Sequence, residues 1–172
     1  PMIAAVNGAA VGVGLTQILP FDYIIAAPEA KFSARFIKMG LVPELASSFY
    51  IAARTGFGQA NRLMLTGETI LAERALAIGL IDETVEDLGA LMPRAEDLAQ
   101  AMGNNPQQAL RMVKTLITEN IAESDLTQVQ AKEMKALQIC YESPEHKEAI
   151  DAFIHKREPD FKRARMDDGG TP

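Results

Sequence analysis

The chain has 172 residues, 48% of them hydrophobic and 23% charged, with a formal net charge of −6. That length can hold one domain with a substantial core, and the composition is ordinary for a globular protein. The acidic balance argues against non-specific nucleic-acid binding but leaves room for a local basic patch facing a phosphorylated ligand. A single cysteine, Cys140, excludes an internal disulfide, no apolar run is long enough to cross a bilayer, and no secretory n-region is visible. A cytoplasmic protein that engages no membrane is expected, with an organellar location left open.

Met2 to Val6 is a short apolar run with the pattern of a buried strand. It starts with no preceding cap or tail, so further strands are expected upstream. The stretch A-V-N-G-A-A-V-G-V-G follows, carrying Gly8, Gly12 and Gly14, and Leu15 to Leu19 can continue as a helix. A strand that breaks on glycines and opens a helix aims free backbone N–H groups at whatever sits above the helix start. Such donors suit a phosphate, or the oxyanion formed on an activated carbonyl; a tight connection with no ligand is the plainer reading. The spacing G-x-x-x-G-x-G matches neither the dinucleotide fingerprint nor the P-loop, which makes phosphate the weaker choice.

Asp22 to Ala27 is a second apolar run, and Lys31-Phe32-Ser33 a third, shorter strand. Met39 to Glu44 forms a loop in which Pro43 signals a helix start, so a helix is expected over 45–54, stopping at Thr55-Gly56. Helices are expected over 59–65 and 71–78, and extended structure over 80–85. Four helical stripes follow. Leu91, Ala95, Leu98 and Met102 form the first, and Ala109, Met112, Val113, Leu116 and Ile117 the second. Leu126, Val129, Met134, Leu137 and Cys140-Tyr141 form the third; the fourth opens at Ser143-Pro144-Glu145 and carries Ile150, Phe153 and Ile154. The tail after Phe161 is polar and glycine-containing and is expected to be disordered. The pattern is an α/β part over 1–104 and a helical part over 105–172.

Taken in order, A-A-V-N-G-A-A-V-G-V-G, F-D-Y-I-I-A-A, F-S, G-L-V-P-E, L-T-G-E and A-L-A-I-G-L-I-D resemble the crotonase family of enoyl-CoA hydratases and isomerases. The resemblance runs from Pro1 to about Lys162 and covers the C-terminal two thirds of such proteins. It implies a partial ββα spiral, lacking its N-terminal strands, followed by a helical region that builds homotrimers or pairs of trimers. It implies an acyl-CoA thioester as substrate, with coenzyme A entering as part of that substrate and no separate cofactor. The family's shared chemistry is a thioester enolate held by two backbone N–H groups. One donor matches Val13, flanked by Gly12 and Gly14 against the substrate; the other belongs to a segment preceding Pro1, so the 172-residue chain alone is expected to be a poor catalyst.

Hydratases of the family use two glutamates, whose matching positions hold Thr16 and Phe36. Neither exchanges a proton as a carboxylate does, so the resemblance points away from hydration. Glu44 matches the single carboxylate of the Δ3,Δ2-enoyl-CoA isomerases, which moves one proton from C2 to C4. Placed among apolar neighbours, such a carboxyl is expected to have its pKa raised towards neutrality. Read from position alone, Glu44 is also an ordinary acid in the first turn of a helix. The run Phe153-Ile154-His155-Lys156-Arg157 resembles the family's CoA-contacting segment, with Phe153 beside the CoA and Lys156 on a phosphate; a solvated basic helix end is the alternative.

No metal site is expected, because His146 and His155 lack partners in ligand spacing. Ser47 and Ser48 lack a nucleophile elbow, and Cys140 belongs to an apolar helical face. A catalytically silent acyl-CoA-binding homologue and another reaction of the same family are the competing functions.

Overall fold

A computed structural model describes residues 1–167 and 169. Contacts divide the chain into two compact units, Pro1–Ala99 and Gln100–Pro172. The first holds six short strands: β1 Ile3–Val6, β2 Ala9–Val11, β3 Tyr23–Ala26, β4 Lys31–Ser33, β5 Ile70–Leu71 and β6 Glu83–Thr84. They form two three-stranded sheets, ordered β1-β3-β6 and β2-β4-β5. β1 and β6 both run parallel to β3, β2 runs parallel to β4, and only β5 is antiparallel. β1 to β4 thus alternate between the sheets, while β5 pairs with its predecessor β4. Helices fill the returns: α1 Val13–Thr16, α2 Ser47–Thr66, α3 Ala72–Ala77 and the start of α4 Leu88–Gly103.

The central strand β3 explains the apolar run around it. Ile24 and Ala26 point into one core with Leu15, Phe32, Ile51 and Leu80. Ile25 and Ala27 point into a second core with Leu91 and Ala95 of α4. A strand covered on both faces must be apolar at every position rather than at alternate ones. Each buried isoleucine contributes about 1.5–3 kcal/mol of transfer free energy.

Several boundaries differ from expectation for local reasons. β2 was unanticipated; only three residues long and flanked by glycines, it shows one buried residue and no readable period. The helix expected from residue 45 begins at Ser47, so Pro43 does not occupy a first helical position. Leu45 (φ 51°) and Ala46 (φ 55°) are both left-handed there. The break expected at Gly56 is present as a kink (φ 76°, ψ 163°) inside α2, with the two helical segments running on across it. Arg54 from α2 donates to the carbonyls of Leu19 and Phe21 and pairs with Asp82 at 3.1 Å. Asp82 in turn accepts the Ile24 N–H, so extended structure over 80–85 reduces to β6.

The second unit contains α5 Gln107–Asn120, α6 Leu126–Glu142, α7 Pro144–Ile154 and α8 Phe161–Asp167. Ser143 caps α7 by accepting the His146 N–H, with Pro144 in the first turn. The orphan amides of α5 are satisfied from a distance: the buried Glu145 carboxylate accepts from Gln107 N–H (2.9 Å) and Gln108 N–H (3.3 Å). Arg165 pairs with the same carboxylate at 3.0 Å. That pairing explains why residues 161–167 are a helix instead of the disordered tail expected from their composition; residues 168 and 170–172 lie outside the described residues. Cys140 packs with its Sγ 3.7 Å from the Met112 Sδ.

Candidate active site

The glycine turn joins β2 to α1. Gly12 adopts φ 55° and ψ −121°, a conformation closed to side-chain-bearing residues. Its N–H donates to the Ser33 carbonyl at 2.9 Å, continuing the β2–β4 register in which Val11 faces Ser33. The Ser33 hydroxyl, itself buried, donates to the Glu68 carbonyl at 2.8 Å. The turn is therefore tied to β4, and β4 to the chain following α2. Val13 opens α1, so its N–H has no acceptor inside the helix. Val13 and Gly14 are exposed.

Thr16 is buried beneath this turn, and its hydroxyl donates to the Val13 carbonyl at 3.1 Å. Three residues beyond Ser33, Phe36 is buried within a 3₁₀ turn, Arg35–Met39. Leu41 N–H donates to the Phe36 carbonyl at 3.0 Å and turns the chain towards Val42, Pro43 and Glu44. These segments and the end of α2 enclose a pocket of about 210 Å³, lined by Ala34, Phe36, Ile37, Leu41, Val42, Pro43, Met64 and Leu65. Every lining side chain is apolar.

The structure brings Phe36 and Pro43 together on that pocket and sets the Gly12–Val13 turn against the strand leading to Phe36. It does not bury Glu44. The Glu44 side chain is exposed, and the pocket lining ends one residue before it. The described residues do not form the apolar enclosure expected around this carboxyl, and the backbone turns just after it at the left-handed pair Leu45 and Ala46. Ser47, next in line, has the only buried side-chain oxygen or nitrogen among the described residues that lacks a hydrogen-bond partner.

Phe153 and Lys156 belong to the second unit. Phe153, on α7, is 85% exposed, and Lys156 follows it in a left-handed conformation (φ 52°). Among the described residues no group of His, Cys, Asp and Glu suits a metal ion, and no helix is long and apolar enough to cross a membrane. Ser33 and Arg157 were not singled out from sequence; both act through hydrogen bonds to distant residues, which no local spacing reveals.

Short strands in two sheets with helical returns, a glycine turn presenting helix-start amides and an apolar pocket define an α/β fold of the crotonase type. Residues 1–164 match the profile of the enoyl-CoA hydratase/isomerase family, and the chain belongs to that family. It is 36% identical over 171 residues to the enoyl-CoA hydratase ACTT3 of Alternaria alternata, covering 99% of this chain and 57% of that protein. It is 35% identical over 162 residues to the 1,2-epoxyphenylacetyl-CoA isomerase of Escherichia coli K12, covering 94% and 61%. Among solved structures, the enoyl-CoA hydratase of Bacillus anthracis superposes with a TM-score of 0.90 at 30% identity, covering 94% and 62%. The chain thus spans about three fifths of the length of these relatives.

Proposed function

We propose that the protein acts on an acyl-CoA thioester, stabilises its enolate, and shifts a double bond from Δ3 to Δ2 with Glu44 as the proton shuttle. One observation carries the choice of isomerisation: the two positions matching the hydratase carboxylates are a buried phenyl group, Phe36, and a buried hydroxyl, Thr16, already donating to Val13. Neither activates water as a carboxylate does. Most of the similar proteins carry hydratase names, and the assignment departs from those names on the strength of these two residues.

In the proposed reaction, the Val13 N–H donates to the thioester oxygen while Glu44 takes a proton from C2. The electron pair delocalises over the dienolate, and Glu44 returns the proton at C4, leaving the Δ2 double bond. Removing and returning one proton on one face needs one carboxylate, which matches what is present. The apolar pocket beside Pro43 receives the acyl portion, with Gly12, Gly14 and Phe36 as contacts; Phe153 and Lys156 hold the CoA portion. Coenzyme A arrives with the substrate, and no further cofactor takes part. The working assembly is a homotrimer or a pair of trimers, and the location is cytoplasmic.

The exposure of Glu44 favours a second reading, in which the protein binds acyl-CoA without turning it over. Incubation of the intact protein with 3-enoyl-CoA and with 2-enoyl-CoA separates the two readings. Double-bond migration without hydration is expected, and Glu44→Gln should lower its rate by ~10²–10⁴-fold while leaving acyl-CoA affinity nearly unchanged. Hydration of 2-enoyl-CoA, or a Gln variant retaining more than about a tenth of the rate, overturns the assignment.

A further inference from the structure

The end of α7 places a long cationic side chain where helices ordinarily place glycine. Arg157 N–H donates to the Ala152 carbonyl at 3.0 Å, and Lys156 N–H to the Phe153 carbonyl at 3.3 Å. This pair of bonds is the Schellman ending, with His155 as the cap and Lys156 in the left-handed position beyond it (φ 52°). Lysine there sits in a backbone region that costs of order 1 kcal/mol for any residue with a Cβ. Such strain persists when the surroundings over-determine it, and it concentrates at functional positions.

The surroundings here are specific. The Arg157 guanidinium grips Glu148 of α7 with both ends, at 2.6 and 2.9 Å, and reaches Asp151 at 2.5 Å. The same Glu148 carboxylate accepts the Asp160 N–H at 2.7 Å. One half-buried carboxylate on the helix therefore fastens the chain at residues 157 and 160, immediately after Lys156. Two of the nearby carboxylates, Glu148 and Asp151, are taken up by Arg157, while Lys156 and Phe153 stand exposed. We propose that Arg157 is a positioning residue, which through Glu148 and Asp151 holds Lys156 left-handed so that its ammonium meets a phosphate of the coenzyme A moiety. The inference rests on the acyl-CoA reading above and adds to it the device that fixes the phosphate contact.

The test measures equilibrium affinity of the intact protein for a saturated acyl-CoA and for the matching acyl-pantetheine thioester, which lacks the nucleotide phosphates. Lys156→Ala should weaken the acyl-CoA complex about tenfold or more, the scale of one charged hydrogen bond, and leave the pantetheine complex unchanged. Arg157→Ala and Glu148→Gln should each reproduce most of that loss, and Arg157→Lys should recover part of it. In the Lys156→Ala background, Arg157→Ala should cost nothing further, an outcome that a merely structural role would not produce. If Lys156→Ala leaves acyl-CoA affinity intact, the phosphate contact itself is wrong. If Lys156→Ala weakens binding while Arg157→Ala, folded by circular dichroism, does not, or if the two losses add, the positioning role is overturned and the acyl-CoA reading stands.

Discussion

Gly12 and Gly14 share one turn but meet different demands. Gly12 sits at φ 55° and ψ −121°, so a side chain there strains the backbone whatever the space around it. Gly14 lies inside α1, and a Cβ added to it would meet no atom within 4 Å. Nothing within the chain explains why Gly14 should lack a side chain, and alanine is the better helix former by about 1 kcal/mol. In the proposed acyl-CoA site, a thioester approaching the Val13 amide would supply the missing reason. Gly14→Ala should therefore keep or raise the melting temperature while lowering kcat/KM by roughly 10–10², the scale of a small misplacement of reacting groups. Unchanged kcat/KM in a folded variant would remove Gly14 from the substrate contacts. Gly12→Ala, in contrast, should lower stability by of order 1–3 kcal/mol, read from the same melts.

At the scale of elements, two Arg–carboxylate forks titrate with consequences for stability. The Arg157 fork, and after it the Asp160 N–H, hold the Glu148 carboxyl down at about 2. Arg94 does the same in direction for Glu83, to which Tyr23 also donates. A carboxyl whose folded pKa lies below its unfolded value of about 4.3 stabilises the fold above that value. The contribution is lost as the pH falls towards about 2 for Glu148. The melting temperature should accordingly decline across that window, and Glu148→Gln should lower it at neutral pH and flatten part of the decline. A Gln variant with the same slope as the parent would show that Glu148 is not responsible. Neither fork was legible in the sequence, since Glu148 and Arg157 are nine positions apart and Glu83 and Arg94 eleven. What was legible lay in runs and punctuation. β4 was located from three residues, the kink of α2 from Gly56, and the start of α7 from Ser143-Pro144. The three-residue β2 and the helix α8, fixed by Arg165 on the buried Glu145, depend on partners far along the chain. The glycine turn was recognised from spacing. The left-handed pair Leu45 and Ala46 was not, because non-glycine residues at positive φ carry no sequence signal.

For the whole molecule, the second unit leaves a large apolar surface uncovered. Val113 and Ile117 of α5 and Ile121 at its C-cap follow one another at four-residue spacing and are all exposed. Met134, Leu137 and Tyr141 on α6, and Ile150, Phe153 and Ile154 on α7, are also exposed, at three- and four-residue helical spacings. Ala152 is the only fully buried hydrophobic residue among the described residues of α5 to α8. Helical stripes of this kind normally cover one another, and monomeric proteins seldom expose contiguous apolar patches larger than a few hundred Å². Further copies of the same protein are the proposed cover, in the trimer or pair of trimers that the family resemblance implies. The intact protein should therefore sediment as a trimer or hexamer at micromolar concentration, and Ile117→Lys, which places a charge in the middle of the α5 stripe, should shift it towards smaller species without loss of helical circular dichroism. A stable monomer at that concentration would overturn the proposed trimer and weaken the proposed CoA contact at Phe153 and Lys156.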